Sequence, residues 1–272
     1  MVAVVEETTH RRRPARVAAT AICQVAFVVG DPARFGYEAH AHQALGETPF
    51  PAAVAPMADL TLCLGTKNLS SWSLRAWMAL AHTGVRFDEV VIPLHQPDTK
   101  QRILAYSPSG KVPVLRHGET IIWESLAICD YVHELFPDAQ LWPENREARA
   151  VARSVSEEMH AGFLDLRKEM PMEILARHGK RTLSAAATRD LERVLTLWRT
   201  CRARYGQEGP FLFSTFSIAD CMFAPMVTRF VTYDVAVDTP TRQYMDSMLA
   251  TPEMVRWTAE AKADLEAAAH GG

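Results

Sequence analysis

A cluster of hydroxyl side chains lies at residues 70–75, whose sequence is Ser-Ser-Trp-Ser-Leu-Arg. It follows a short apolar run at residues 60–64 and opens an amphipathic stretch that ends at Gly84. The first backbone N–H groups of a helix have no intrahelical partners, and the helix dipole adds partial positive charge there. Hydroxyl groups delivered to such a helix start would stabilise an anion, including a thiolate. Because no Cys-x-x-Cys pair occurs in this cluster, the thiol would have to come from a ligand.

Two later segments place polar groups at the ends of predicted strands. Residues 109–115 (Ser-Gly-Lys-Val-Pro-Val-Leu) are typical of a loop that enters a strand at Val-Pro. Residues 123–128 (Trp-Glu-Ser-Leu-Ala-Ile) indicate a strand end, an acidic residue and a helix that begins with a serine cap. Taken alone, each segment also fits an ordinary strand start, with a trans proline, or an ordinary helix start.

From residue 59 onward the apolar pattern alternates between strand and helix periods. The predicted order β-α-β-α-β-β-α is that of a thioredoxin-like α/β domain. Its first two strands should pair in parallel and its last two should form an antiparallel hairpin. Strands are predicted over residues 60–64, 87–92, 112–115 and 120–123, and helices over residues 73–82, 98–106 and 125–136.

The chain changes character after residue 137. Residues 138–146 contain a proline and show no periodicity, so we predict a linker between a thioredoxin-like domain over residues 58–137 and an all-α C-terminal domain over residues 147–272. A capping box at residues 217–220 (Ser-Ile-Ala-Asp) starts one helix of the second domain. Helices are predicted over residues 147–170, 184–205 and 221–231, and from residue 251 onward.

The order and spacing of these motifs resemble the cytosolic glutathione S-transferase family. The serine-rich turn is most similar to the zeta-type and related bacterial members. The resemblance extends from about residue 59 to the C-terminus and implies the two-domain glutathione transferase fold, glutathione as co-substrate and a homodimer. One departure is that zeta-type isomerases carry a cysteine where Trp72 stands here.

The resemblance implies that a serine hydroxyl donates a hydrogen bond to the glutathione thiolate. Ser70 is the predicted donor, and Ser71 supports it or contacts the ligand. A hydroxyl favours the thiolate in this way without becoming charged itself. Arg75 would add positive potential, although a solvated salt bridge is an equally good interpretation. The structural alternative for either serine is a plain N-cap.

The same resemblance implies that the two later segments bind glutathione. Pro113 would be cis, and Val112 would pair its backbone with the cysteinyl group of glutathione as a short piece of added strand. Ser125 and the first N–H groups of its helix would hold the γ-glutamyl carboxylate, and Glu124 would meet the ammonium group.

The pocket for a second substrate is harder to predict. Met159 and Phe163 are i, i+4 partners that would line an apolar pocket or belong to the core. Arg167, together with His160, would polarise a carboxylate or carbonyl substrate, although a solvated helix face is the better interpretation for both. These residues lie on the first helix after the predicted linker, which in the family faces the glutathione site.

Composition narrows the classes of partner. The chain has 272 residues, 48% of them hydrophobic, and a net charge of −3, so neither nucleic acid nor an anionic membrane is an expected partner. Its five cysteines are scattered without metal-ligand spacing, and its histidines are dispersed. We therefore expect a reduced, cytoplasmic protein that needs no metal.

Residues 1–57 fall outside the resemblance. We interpret them as disordered or as translated from an upstream start, with Met57 as the functional beginning. The arginines at residues 11–13, the apolar run at residues 17–30 and the Ala-His-Ala sequence at residues 39–41 also match a secretory signal. Gln24 interrupts that run, and export would separate the protein from its supply of thiol.

These features predict a glutathione transferase that adds the glutathione thiolate to a small electrophile. One alternative is a glutathione-dependent cis-trans isomerase of the maleylacetoacetate type, which Trp72 disfavours. A second alternative is a non-catalytic binding module on the same fold. A glutaredoxin-like reductase is disfavoured, because no cysteine occupies the helix start where the serines lie. The identity of the electrophile is not encoded in any motif.

Overall fold

The computed structural model describes residues 59–270, with the exception of the Ala268 side chain. The interpretation of residues 1–57 therefore lies outside the described residues. The described chain begins with a four-stranded sheet in the order β2-β1-β3-β4. As predicted, β1 and β2 are parallel, and β3 and β4 form an antiparallel hairpin. The strands are β1 (Leu60–Gly65), β2 (Asp88–Ile92), β3 (Val114–His117) and β4 (Thr120–Trp123).

Three helices accompany this sheet, as the sequence predicted. Helix α1 is almost wholly buried from its second turn onward, because it packs against α3 and against a helix of the C-terminal half. Leu74, Trp77 and Met78 on α1 have no exposed surface. The start of α1 is thereby held at the boundary between the two halves. The helices are α1 (Ser71–His82), α2 (Thr99–Leu104) and α3 (Ser125–Leu135).

The remainder is helical and packs around α7. Asp220 at the start of α7 completes the predicted capping box with Ser217, and nearly every residue of this helix is buried. The sheet-containing half and the helical half together form the predicted thioredoxin-like and all-α arrangement. The helices are α4 (Arg146–Ala161), α5 (Leu164–Glu169), α6 (Ala185–Tyr205), α7 (Ile218–Thr232), α8 (Thr239–Leu249) and α9 (Pro252–His270).

Two features of the helical half differ from the prediction. The single helix predicted over residues 147–170 is wrong, because the chain breaks at Gly162, which is extended, and at Phe163, which is left-handed with φ 61°. A Cβ atom on Gly162 would lie 2.8 Å from the Glu158 carbonyl oxygen, so this close approach requires glycine. Helix α8 was not predicted, although Asp238 caps it and Pro240 lies in its first turn.

Candidate functional site

A cavity of about 620 Å³ lies between the start of α3, the approach to β3 and the C-terminal end of α4. It brings together parts of the three motifs that the sequence singled out, although they lie on separate elements. Among the residues that line it are Trp72, Val112, Pro113, Glu124, Ser125 and His160.

The two candidate serines have different partners. Ser70 is 5% exposed and serves as the N-cap of α1, accepting a hydrogen bond of 3.4 Å from the Ser73 backbone N–H. Its hydroxyl donates to the Ser73 Oγ over 2.7 Å, and that oxygen also accepts the Gly65 N–H over 3.0 Å. The proton of Ser70 is therefore committed to a bond inside the protein.

Ser71 is the first residue of α1, is half-buried and directly precedes Trp72 of the cavity wall. Its Oγ accepts a long hydrogen bond of 3.5 Å from Nη2 of Arg229 on α7. Its own proton has no acceptor in the described part of the chain, so the Ser71 hydroxyl is free to donate to a ligand.

The Val112–Pro113 peptide bond is cis, as the resemblance implied. The paired register of β3 begins at Val114, which lies opposite Trp123 on one side and Cys63 on the other. Val112 therefore stands just outside the sheet ladder, where its backbone can pair with an extended ligand.

Glu124 and Ser125 meet at the cavity through an unusual backbone turn. Glu124 has a positive φ of 68°, which is rare for a residue other than glycine. Where such a backbone conformation does occur, it is often at a functional site. Ser125 is 1% exposed, and its Oγ has no hydrogen-bond partner among residues 59–270. A buried hydroxyl without a partner costs about 1–3 kcal/mol. A ligand carboxylate that accepted hydrogen bonds from the Ser125 hydroxyl and from the first N–H groups of α3 would remove this cost.

Arg75 is only 1% exposed and does not line the cavity itself, but it contacts Trp72, which does. Its Nε donates to the Met222 carbonyl over 3.0 Å, and its guanidinium carbon lies 4.4 Å from the centre of the Trp72 ring. Burial lowers the pKa of Arg75, and the positive charges of Arg167 and Arg229 lower it further. Arg75 is thus buried without an ion pair in the described part of the chain, so the solvated salt bridge considered from the sequence is wrong.

The three candidates for the second pocket separate into two kinds. Met159 and Phe163 are buried in the hydrophobic core, where they contribute packing. Arg167 is half-buried, with its guanidinium carbon 4.9 Å from the centre of the Trp72 ring. It also donates to the carbonyl oxygens of Met159 and His160.

Two residues lie closer to the site than the sequence predicts, and a third has no signal in the sequence. Trp72, which in the sequence stands out only as a departure from the zeta-type pattern, lines the cavity. His160, expected on a solvated face, lies 5.1 Å from the Trp72 ring and 3.7 Å from the Glu124 carboxylate. Burial lowers the pKa of His160, and Arg75 adds to this effect, so the imidazole favours its neutral form. Arg229 had no sequence signal, because only folding brings α7 to the α1 start.

Within residues 59–270, no group of three or more His, Cys, Asp or Glu side chains is arranged to hold a metal ion. Of the helices described, none is both long and apolar enough to cross a bilayer. Cys63, Cys129, Cys201 and Cys221 are buried and free of disulfide bonds.

Two family models match this chain. The glutathione S-transferase N-terminal domain matches residues 69–135, and the glutathione S-transferase C-terminal domain matches residues 182–260. Together they account for just over half of the chain, and they correspond to the sheet-containing half and the helical half.

Curated relatives carry two kinds of name. A probable maleylacetoacetate isomerase of Caenorhabditis elegans is 32% identical over 106 residues, which is 39% of this chain and 50% of that protein. Glutathione S-transferase 1 of Dianthus caryophyllus is 36% identical over 85 residues, which is 31% of this chain and 38% of that protein. The chain thus spans half or less of the length of these two relatives.

Solved structures share the fold. A glutathione transferase homologue from Burkholderia GL BGR1 with bound glutathione has a TM-score of 0.59 and 24% identity, over 75% of this chain and 99% of that one. Glutathione transferase Omega 2S from Trametes versicolor, in complex with 2,4-dihydroxybenzophenone, has a TM-score of 0.56 and 21% identity, and the match covers 79% of this chain and 100% of that one.

Proposed function

The chain belongs to the glutathione S-transferase family, and from this premise we propose that it is a glutathione transferase. In this proposal glutathione occupies the cavity beside Trp72, and its thiolate attacks a small electrophile. The observation that carries the proposal is the unpartnered Ser125 hydroxyl at the α3 start, in the same cavity wall as Val112 and Glu124.

Two of the three residues of glutathione, the γ-glutamate and the cysteine, have partners of matching chemistry. The γ-glutamyl carboxylate accepts hydrogen bonds from the Ser125 hydroxyl and the first N–H groups of α3, and the ammonium group pairs with Glu124. The cysteinyl backbone pairs with Val112 ahead of the cis Pro113. This arrangement directs the sulfur toward the start of α1.

We place the sulfur beside Ser71 and assign Ser70 to the helix cap. The Ser70 proton is engaged by Ser73, whereas the Ser71 proton has no acceptor among the described residues. A hydrogen bond from Ser71 to sulfur favours the thiolate over the thiol, so more of the bound glutathione is ionised at neutral pH. The thiolate then forms a bond to the electrophilic carbon, and the leaving group departs with its electron pair. The protein supplies orientation and thiol activation without a covalent intermediate of its own.

Substitution of the two serines tests this assignment. Ser71→Ala should raise the pKa of enzyme-bound glutathione by about one unit or more, because a hydrogen bond to a charged group is worth about 1.5–3 kcal/mol. Turnover at neutral pH should fall in parallel. The measurement is the pH dependence of thiolate absorbance in the glutathione complex, combined with steady-state rates.

Ser70→Ala is the matched variant. It should lower stability by about 1 kcal/mol through loss of the N-cap and should shift the thiol pKa less than Ser71→Ala does. The reverse pattern would return the donor role to Ser70. Absence of glutathione binding to the wild-type protein in calorimetry would contradict the proposed function itself.

A second candidate activity is glutathione-dependent cis-trans isomerisation, which the similarity to a probable maleylacetoacetate isomerase favours. The thiolate would add to a carbon–carbon double bond, the resulting single bond would rotate, and elimination would return the thiolate. Assays with maleylacetoacetate and with a chlorinated aromatic compound distinguish the two activities, because only the second consumes glutathione.

We further propose a cytoplasmic homodimer, in which the glutathione-binding half of one subunit packs against the helical half of the other. Trp123 on edge strand β4 is 44% exposed, which is unusual for a large apolar side chain and is consistent with a covered surface. Cytoplasmic glutathione would supply the co-substrate. Sedimentation equilibrium at micromolar concentration tests the dimer, and a monomeric mass would contradict it.

A further inference from the structure

Three arginine side chains from three helices lie around Ser71 and Trp72 and form what we call the arginine cluster. Arg75 on α1 and Arg167 on α5 place their guanidinium carbons 4.4 and 4.9 Å from the centre of the Trp72 ring. Arg229 on α7 is 4% exposed and reaches the Ser71 hydroxyl. The cluster therefore borders both the proposed sulfur position and the cavity wall.

The arginine cluster has no matching negative charge in the described part of the chain. None of its members forms an ion pair there, and their hydrogen bonds go to backbone carbonyl groups and to Ser71. Burial lowers the pKa of Arg167 and Asp190 only partly opposes this shift, since the Asp190 carboxylate accepts the Leu166 N–H and forms no ion pair with Arg167. Nη1 of Arg75 and Nε of Arg167 have no hydrogen-bond partner among residues 59–270.

Buried like charges without counterions destabilise a fold, so proteins rarely retain them without a functional reason. Burial lowers the pKa of Arg167 to about 10, and burial together with Arg167 lowers the pKa of Arg229 to about 9. Both guanidinium groups therefore stay charged at neutral pH. The unliganded site holds an excess of positive charge.

Glutathione balances only part of this charge. In the proposed pose the γ-glutamyl end lies at Glu124 and Ser125 and the glycyl carboxylate extends beyond Val112, so the charge placed beside the arginine cluster is the single negative charge of the sulfur at Ser71. Arg167 and Arg229 alone carry two positive charges. Arg167 is the most exposed member of the cluster, and both Trp72 and His160, which it contacts, line the cavity.

We propose that the second substrate carries a carboxylate, which binds on the Arg167 side of Trp72 while the thiolate attacks a nearby carbon. This proposal rests on the proposed transferase function and names its substrate class. Arg167 binds the carboxylate, and Arg75 and Arg229 supply positive potential from behind.

A pair of electrophiles with the same ring tests the proposal. The probes are a chlorodinitrobenzoate and the neutral chlorodinitrobenzamide of the same substitution pattern. In both, the glutathione sulfur forms a bond to the carbon that bears chlorine, and chloride leaves with the bonding electrons. Each kcat/KM is divided by the rate constant of free glutathione with the same compound at the same pH, which removes the difference in intrinsic reactivity.

The wild-type enzyme should favour the benzoate by about tenfold or more in this corrected ratio, which corresponds to about 1.4 kcal/mol and is within the strength of one charge-assisted hydrogen bond. Arg167→Gln should abolish most of the preference, and Arg167→Lys should retain part of it. Arg193→Gln is the matched control, because Arg193 is an exposed arginine paired with Glu158 and should leave the ratio unchanged.

A second measurement does not depend on folding of the variants. An unreactive dinitrobenzoate should inhibit the glutathione-loaded wild-type enzyme at about tenfold lower concentration than the matching dinitrobenzamide. Equal ratios and equal inhibition, with glutathione still bound in calorimetry, would overturn the carboxylate inference and leave the transferase function intact. Absence of glutathione binding would overturn both.

Discussion

Ser70 and Ser71 are neighbours of the same residue type, yet their surroundings give them different chemical capacities. Ser70 completes a hydrogen-bonded chain through Ser73 to Gly65, which ties the α1 start to β1. Ser71 is turned toward Arg229. At the scale of single residues, the property that matters is which hydroxyl proton remains without an acceptor.

Ser125 allows a sharp test at the same scale. Because its hydroxyl is buried without a partner, Ser125→Ala should leave the free energy of unfolding nearly unchanged or slightly higher. The same change should weaken glutathione binding about tenfold through loss of a charge-assisted hydrogen bond. Urea unfolding and calorimetric titration measure the two effects.

Ser156→Ala is the matched control. Ser156 on α4 is also fully buried with an unpartnered hydroxyl among the described residues, but it does not line the cavity. Its substitution should leave glutathione affinity unchanged. Equal loss of affinity in both variants would argue against a direct contact between Ser125 and the ligand.

Helix α7 shows how one element joins folding to the site. Its capping box fixes where the helix begins, since Asp220 accepts the Ser217 N–H over 2.9 Å and the Leu212 N–H over 3.1 Å. Three turns later the same helix delivers Arg229 to Ser71. A shift in the starting point of α7 would therefore move a charge at the site.

Asp220 gives this element a pH dependence with a defined sign. Burial raises the pKa of Asp220 from 3.8 to about 6, although hydrogen bonds from Leu212 and Ser217 oppose the shift. Between pH 3.8 and about pH 6 the folded protein keeps the Asp220 proton that the unfolded chain has released. The stabilisation is therefore complete below pH 3.8 and is lost as the pH rises through about 6. The stability advantage of the wild type over Asp220→Asn should shrink by about 2 kcal/mol as the pH rises from about 4 to about 7.

Urea unfolding across that pH range measures the effect. Asp238→Asn at the cap of α8 is a control of opposite sign, because hydrogen bonds from Thr241 lower the pKa of Asp238. The advantage of the wild type over this second variant should grow with pH. A constant difference for Asp220→Asn would contradict a raised pKa.

At the largest scale, contacts between the beginning and the end of the described chain join its two halves. Lys67, in the loop between β1 and α1, is 4% exposed and donates to Glu89 of β2 over 2.5 Å and to Glu260 of α9. Its ammonium group also lies 5.4 Å from the Trp257 ring centre, and the Trp257 indole donates to the Lys67 carbonyl over 3.0 Å. Helix α9 thereby braces the loop that leads to the two serines.

Lys67→Met should lower the free energy of unfolding by about 1–3 kcal/mol at neutral pH, because it leaves partly buried carboxylates without their shared cation. Burial raises the pKa of Glu260, but hydrogen bonds from Lys67 and Arg256 outweigh it and bring the pKa below 4.5. The stabilisation by these contacts is therefore present above pH 4.5 and is lost as the pH falls through the pKa of Glu260 in the folded protein. Urea unfolding at neutral and acidic pH measures both parts.

Lys262→Met is the control, since Lys262 lies on the same helix with an exposed side chain beside Glu266. It should change stability by less than about 0.5 kcal/mol. An equal loss in both variants would argue against a special role for the Lys67 contacts.

Much of the fold follows from local signals that the sequence displays directly. The strand alternation, the serine cap of α1 and the Ser217–Asp220 box all act within a few residues, so their elements could be predicted near their observed bounds. The break between α4 and α5 could not, because Phe163 takes up a left-handed conformation that depends on its burial against the rest of the core.

The sequence by itself determined the two-part architecture and the three motifs that meet at the cavity. Tertiary structure alone decided that the Ser71 proton has no acceptor within residues 59–270, that Trp72 lines the cavity and that three arginines lie around Ser71 and Trp72. The reason is physical: caps and periodicity depend on neighbours along the chain, whereas hydrogen-bond partners and buried charges depend on groups as distant as Arg229 is from Ser71, 158 residues apart.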